Sequence, residues 1–129
     1  MPNVNWQFQA AIPGGPSVLL NQPGIPIAAY DVAAVDVAPG ASGVDVPIQP
    51  SSGAGDVVFL VVSASVYDPG INYTVDALAS AHVLDGPHVL LGSGAVGFLN
   101  SSAPPQKLVF NNTSAKVSSV QVVVGRKVP

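Results

Sequence analysis

The chain consists of short runs in which apolar and polar residues alternate, and glycine and proline separate the runs. In the first run, Trp6, Phe8 and Ile12 lie in phase, with asparagine and glutamine at intervening positions. This period of two is typical of a half-buried β-strand. The pattern therefore predicts a strand over residues 4–12 that turns its aromatic residues into the core, and a turn at residues 13–16.

The strongest element covers residues 56–68 and predicts a central strand, and its first half contains the apolar run 57–62. Both faces of this run are apolar, which is typical of a strand covered on both sides. Pro69-Gly70 follows, and residues 71–75 alternate again, so the pattern predicts a hairpin whose return strand is 71–75. In the alternating run 44–49, Pro47 indicates either an edge strand or a position whose backbone nitrogen faces outward, because proline cannot donate a ladder hydrogen bond.

The same patterns predict several further strands. Residues 77–84 fit both helical and strand spacing, and we favour a strand because the window is short and a turn at Asp85-Gly86-Pro87 ends it. The other predicted strands cover residues 17–20, 88–91, 95–99, 107–110 and 117–128. Residues 30–32 and 35–37 are predicted as strand pieces with a weak or bulged middle. Eight to ten short antiparallel strands with closely spaced turns predict an all-β fold, either a jelly-roll-like β-sandwich or a small barrel. We expect little or no helix and a single domain over residues 1–129.

Composition supports the all-β prediction and suggests assembly. Only 9% of the residues are charged, against about a quarter in a typical soluble domain. The chain has no Glu and three Lys, so the residues that usually coat the wet face of a helix are scarce. A surface so poor in charge is expected to be covered partly by other copies of the chain. We expect the apolar residues around 25–37 and in the last strand to be buried between subunits.

The few charges are segregated along the sequence. All seven acidic residues are aspartates between Asp31 and Asp85, and the four basic residues lie between Lys107 and Lys127. This separation has two interpretations: chance in a charge-poor chain, or a head-to-tail contact in which the C-terminal strand meets a neighbour's acidic face. With four bases and a net charge of −3, no nucleic-acid-binding surface is expected.

The sequence carries no signal for secretion, membrane insertion or disulfide formation. It has no cysteine, and its N-terminus lacks the basic and apolar regions of a signal peptide. Its longest apolar run has six residues, whereas a membrane helix needs roughly 20. We therefore expect synthesis in the cytoplasm and no membrane partner.

Candidate chemistry is sparse. His82, Asp85 and His88 form a His-x-x-Asp-x-x-His pattern, which suits a metal only if the three side chains converge. If Asp85-Gly86 is a two-residue hairpin turn, the two histidines fall on opposite faces, and we favour this interpretation. No Gly-x-Ser-x-Gly elbow occurs. We expect no enzymatic activity, no catalytic residue, no metal and no cofactor.

Exposed aromatic residues are the other candidate for ligand binding. Tyr67 and Tyr73 flank the Pro69-Gly70 turn, where their rings are candidates for stacking on a sugar. This pair makes a carbohydrate-binding or adhesive β-sandwich the alternative function.

Five segments of the second half of the chain are similar to a known type of protein. They are Ile71-Asn-Tyr-Thr-Val, Leu84-Asp-Gly-Pro, Gly92-Ser-Gly-Ala-Val, Leu108-Val-Phe-Asn-Asn and Val120-Gln-Val-Val-Val-Gly-Arg126. These segments resemble small uncharacterised proteins of tailed bacteriophages. The resemblance covers less than half of the chain and brings no functional residues. It implies a β-sandwich of virion type, associated with a head, tail or fibre. The expected function is a non-enzymatic structural or assembly protein that forms homo-oligomers.

Overall fold

A computed structural model describes residues 3–27, 29–48, 57–100 and 105–126 of the protein. Almost all of the regular structure is β. The strands are β1 (Asn3–Ala11), β2 (Ser17–Pro26), β3 (Ala29–Val37), β4 (Val44–Pro47), β5 (Val57–Ala64), β6 (Ile71–Val75), β7 (Ala81–Val83), β8 (His88–Leu91), β9 (Lys107–Asn112) and β10 (Ser118–Arg126). One helical turn, α1 (Ser93–Val96), lies between β8 and β9. The all-β prediction is confirmed.

Two four-stranded antiparallel sheets form a sandwich. The first sheet has the order β3-β10-β5-β8, and the second has the order β4-β9-β6-β7. Strands β3 to β6 pair with strands β10 to β7 in reverse order: β3 with β10, β4 with β9, β5 with β8 and β6 with β7. A chain that folds back on itself in this way and wraps into two sheets is a jelly roll. The predicted jelly-roll-like β-sandwich is therefore confirmed.

The core lies between the two sheets and is filled by every second residue of the strands. Strand β10 turns Val120, Val122 and Val124 inward, as the alternation predicts. Full burial of one such side chain contributes roughly 1.5–3 kcal/mol. The largest fully buried side chains are Tyr73, Phe110, Ile48, Leu60, Ile71, Leu84 and Leu108. The proline-containing strand β4 lies at the edge of its sheet, as Pro47 indicates.

A buried amide fixes one end of the sandwich. The Nδ2 of Asn112 donates hydrogen bonds to the carbonyl oxygens of Val37, at 2.9 Å, and Lys116, at 2.7 Å. Its Oδ1 accepts hydrogen bonds from the backbone N–H and the hydroxyl of Ser114. Asn112 is fully buried, and these four bonds satisfy its amide. They join the β9–β10 turn to the end of β3.

Two ion pairs form between charges that are far apart in the sequence. Arg126 Nη2 lies 2.5 Å from Asp31 Oδ2, and its Nη1 donates to the Ile48 carbonyl at 2.7 Å. Lys107 and Asp45 form an exposed pair at 3.8 Å. The pairs arise because β10 lies beside β3 and β9 lies beside β4. Arg126 and Lys107 therefore pair with aspartates of their own chain, although these charges are far apart in the sequence.

The predicted hairpin of residues 56–75 is wrong, because β5 and β6 lie in different sheets. Pro69-Gly70 carries the chain across the sandwich. A Cβ on Gly70 would lie 2.8 Å from Thr113 Oγ1 and 2.9 Å from the backbone N of Ser114. The close approach of the β9–β10 turn therefore requires glycine here. The Gly70 N–H also donates to Asp68 Oδ1 at 2.8 Å, which fixes the turn.

Two other predicted strands differ from the structure. Residues 95–99 form the end of α1 and the turn after it, with Val96 and Leu99 buried three residues apart. This spacing suits a helical turn and not a strand. In residues 77–84, only Ala81–Val83 is a strand. Asp76, directly before this range, adopts a positive φ of 53°. Its Oδ1 accepts hydrogen bonds from the backbone N–H groups of Gln106 and Lys107.

The first predicted strand is present as β1, but the prediction that it turns its aromatic residues into the core is wrong. Strands β1 and β2 form a separate two-stranded sheet, and β2 continues past the predicted end at residue 20. Phe8 and Ile12 are exposed, and Trp6 is half-buried. The alternation therefore describes a face that lies outside the core of the sandwich.

The last strand ends at Arg126 in the described residues, and residues 127 and 128 of its predicted range lie outside them. The described part of the chain has no helix long and apolar enough to cross a membrane.

Candidate functional site

The outer face of the first sheet carries two complete rows of apolar residues. Residues that are directly opposite each other in neighbouring strands share a face of the sheet. The register therefore aligns one row of Tyr30, Gly125, Phe59 and Leu91, and a second row of Val32, Val123, Val61 and Val89. We call these eight residues the apolar outer face.

Nothing within the described residues fully covers the apolar outer face. Tyr30, Val32 and Val89 expose between 51% and 63% of their surface, and Phe59, Val61, Leu91 and Val123 are half-buried. The next row has Ala34 at its edge and the polar residues Gln121 and Ser63 beside it, and we call it the polar row. The sequence predicts that β5 is covered on both sides, whereas the sandwich covers its inner side. Exposed apolar patches larger than a few hundred Å² are typical of interaction surfaces.

Strands β1 and β2 form a hairpin that we call the N-terminal arm, residues 3–26. Phe8 pairs with Leu20, and Ala10 pairs with Val18, so these four residues lie on one face of the arm. Phe8, Val18 and Leu20, together with Ile12, expose between 46% and 61% of their surface. The other face carries Gln7, Gln9 and Leu19. Residues 3–26 include no charged side chain.

The arm leaves the body on the same side as the apolar outer face. Ile27, directly after β2, is buried, and a Cβ on Gly125 would lie 3.1 Å from its Cγ2. Glycine at 125 thus makes room for Ile27 on the outside of the sheet.

Within the arm, the Nε1 of Trp6 is buried and finds no acceptor among the described residues. A buried donor without an acceptor costs roughly 1–3 kcal/mol.

The two histidines converge on Tyr73 in the core. The Tyr73 hydroxyl lies 2.6 Å from His88 Nδ1, and the rings of His82 and His88 lie 5.4 Å and 5.5 Å from the Tyr73 ring. The interpretation that a hairpin separates the histidines is wrong, because β7 and β8 belong to different sheets. Asp85 is exposed. No cluster of three metal-ligating side chains occurs in the described ranges.

Burial sets the protonation of this cluster. It raises the pKa of Tyr73 to about 12, so the phenol stays protonated at neutral pH and shares a hydrogen bond with His88 Nδ1. Burial, and to a lesser extent the charge of His88, lower the pKa of His82 from 6.5. Both effects oppose a positive charge beside the core. The cluster therefore packs best with a neutral His82.

The two predicted sugar-stacking tyrosines are in different environments. Tyr73 is fully buried, and Phe110 as well as the two histidines packs on it. Its ring has no open face for a sugar. Tyr67 is partly exposed, and its hydroxyl oxygen accepts the N–H of Ala64 at 3.1 Å. The two rings do not form a common groove.

A cleft of about 270 Å³ lies beside the helical turn, at a place that the sequence patterns do not predict. Phe98 borders it and exposes 85% of its surface. The polar groups of the cleft include His82, Ser80 and Asn100, and Asn100 Nδ2 donates to Asp76 Oδ2 at 2.9 Å. Since residues 95–99 are predicted as a strand, sequence reasoning misses Phe98. Helical spacing of Val96 and Leu99 is the signal that places Phe98 outside the core.

Comparison of the chain with protein-family models and with curated proteins finds no match.

We expect the stability of the protein to decrease as the pH falls through 6.5, the ordinary pKa of histidine. Below this value the unfolded chain takes up a proton on His82 that the folded protein resists, so acid favours unfolding. The loss continues down to the lowered pKa of folded His82. The variant His82→Gln should show a smaller fall in melting temperature between about pH 7.5 and pH 5 than the parent. Identical pH dependence of the two proteins would contradict the assignment.

Proposed function

We propose that the protein is a non-enzymatic structural subunit that assembles with other copies of itself, and that it belongs to a virus particle, as a head-decoration, tail or fibre-associated component. Its function resides in its surfaces and not in a catalytic centre.

The observation that carries the proposal is the two-sided apolar character of the first sheet. Strand β5 is apolar on its inner and its outer side, yet one layer covers it. Strands that are apolar on both faces are normally buried on both. Removing apolar surface from water contributes about 25 cal/mol for each Å², before the entropic cost of association is subtracted. A second copy provides the missing layer.

The charge pattern supports the same proposal. Neither the apolar outer face nor the arm carries a charged side chain, so covering them requires no desolvation of charge. Two basic side chains are paired within the chain, through Arg126 with Asp31 and Lys107 with Asp45. The contact between copies therefore depends on apolar surface and not on the head-to-tail pairing of acidic and basic regions.

The assignment to a virus particle is supported by the fold and by the resemblance to phage proteins. Jelly rolls form the subunits of many viral capsids, and they also occur in lectins and cupins. A fold alone does not define function, so the assignment depends equally on the exposed apolar surfaces. Capsid, portal or tail genes beside the gene for this chain would support it, and genes of sugar metabolism there would count against it.

Val123→Lys tests the assembly. Val123 lies in the centre of the apolar outer face, so a lysine there would place an unpaired ammonium in the contact. We expect association to weaken by at least about 100-fold, because burying an unpaired charge costs several kcal/mol. Light scattering on a size-exclusion column measures the mass of the particle over a range of concentrations.

The matched control is Gln121→Lys, on the same strand and the same side of the sheet but in the polar row. It adds the same charge and should leave the mass unchanged. A monomeric parent at high micromolar concentration, or equal masses for the parent and Val123→Lys, would contradict the proposal.

A second candidate function is carbohydrate binding, which the cleft beside Phe98 favours. An exposed ring beside amide and imidazole groups suits a sugar, which has an apolar face and hydroxyl groups at its edge. A glycan array identifies the sugar, and titration with it should show affinity at least about tenfold weaker for Phe98→Ala. The control Phe8→Ala removes an exposed ring outside the cleft. A silent array, or equal losses in the two variants, would contradict this candidate.

A further inference from the structure

We propose that two copies of the chain exchange their N-terminal arms, so that the apolar face of each arm lies on the apolar outer face of the other copy. The inference rests on the proposed assembly and specifies how the contact is made. It goes beyond that proposal because self-association through the sheets alone would not need the arm.

The arm needs a surface to lie on. A two-stranded hairpin by itself is marginally stable in water, and the arm of this chain forms no sheet with any other described strand. Phe8, Val18 and Leu20 form a continuous apolar face on it that is about half-exposed. The opposite face carries Gln7 and Gln9 together with Leu19, so it is the more polar of the two. The face with Phe8, Val18 and Leu20 is therefore the one suited to contact with protein.

The surface with matching chemistry is the apolar outer face. Both surfaces are uncharged and both present aliphatic and aromatic side chains. One row of the sheet consists of Val32, Val61, Val89 and Val123. Valine side chains are shorter than those of Tyr30 and Phe59 in the neighbouring row. The bulky Phe8 and Leu20 of an arm can pack over these valines. Sheets that pack face to face in this way lie about 10 Å apart.

The root of the arm places both surfaces at one interface. Ile27 lies over Gly125 on the outer side of the sheet, so the arm starts from the side that receives an arm. In a dimer with two-fold symmetry the same patch of both copies forms the contact. A chain that gives its arm and receives one on the same side satisfies this condition.

The area of contact favours a reciprocal exchange. The arm has nine residues in β1, which makes it about 30 Å long at roughly 3.4 Å per residue. With a width of about 10 Å, one arm covers about 300 Å² on each partner, or about 600 Å² in total. Stable specific interfaces bury at least about 1,200 Å². Two arm contacts in one dimer reach this value, whereas one does not.

Cross-linking between two differently tagged chains tests the exchange. Since the chain has no cysteine, a single cysteine can be placed at each site. One chain carries Phe8→Cys on the apolar face of the arm, and the other carries Val123→Cys on the sheet. A short bismaleimide added to the mixed chains should link them into a heterodimer. Replacing Phe8→Cys with Gln9→Cys, on the opposite face of the arm, should reduce the yield about tenfold or more.

A doubly substituted chain, Phe8→Cys with Val123→Cys, identifies the other occupant of the sheet. If it cross-links within one chain, and the mixed single variants do not cross-link, the arm lies on its own sheet and the inference is overturned. Equal yields from Phe8→Cys and Gln9→Cys would also overturn it.

Substitutions in the arm separate this inference from the proposed function. Phe8→Ser with Leu20→Ser should weaken association of the parent chain at least about tenfold, while Gln9→Ser with Leu19→Ser, on the other face, should not. An oligomer that both pairs leave intact would overturn the exchange of arms and leave the assembly in place. A monomeric parent would overturn both. Because the arm lies outside the core of the sandwich, all these variants are expected to fold.

Discussion

The structure depends on a sheet that is apolar on both sides and covered on one. Strand β5 turns Leu60 and Val62 into the core and Phe59 and Val61 outward, so the hydrophobic effect acts on both faces of it. The jelly roll buries the inner face with the second sheet. Burial of the outer face requires a further layer, and this requirement links the uncharged composition, the exposed rows of the sheet and the N-terminal arm.

The topology also explains where the few charges lie. Jelly-roll pairing brings the end of the chain beside β3, so that Arg126 meets Asp31 and the Ile48 carbonyl at the end of the sandwich. The resulting surface of the first sheet is uncharged in two of its rows and polar in the next. A surface of this kind is suited to contact with a second uncharged surface, and a phosphate backbone or an anionic membrane would require more basic residues than it has.

Many of the strands can be predicted from the sequence, because a half-buried strand alternates apolar and polar residues and this alternation is visible locally. The strands of residues 71–75 and 88–91, the inward valines of β10 and the edge position of Pro47 are all confirmed. The pairing of strands is not local: Pro69-Gly70 has the pattern of a hairpin turn, yet the approach of Thr113 and Ser114 makes it a crossing between sheets. The prediction for residues 95–99 fails for a different reason: the three-residue spacing of Val96 and Leu99 is helical, but one helical turn is too short to give a repeating pattern.

The candidate surfaces also depend on which strands and chains lie together, and local sequence patterns do not determine this. The alternation of Trp6, Phe8 and Ile12 correctly indicates an apolar face, but it cannot say whether that face meets its own core or another chain. The convergence of His82 and His88 on Tyr73 likewise depends on sheet assignment, which their spacing in the sequence does not determine. The sequence pattern does show that both faces of β5 are apolar. It therefore predicts a covering layer on each face, whereas the jelly roll covers the inner face alone.

The central claim, that another copy covers this sheet, is tested most directly by the melting temperature of the chain over about two orders of magnitude in protein concentration. Assembly that stabilises the folded chain makes the melting temperature rise with concentration, and this is the predicted result. A melting temperature that stays constant over the whole range, together with a monomeric mass at its upper end, would contradict the account.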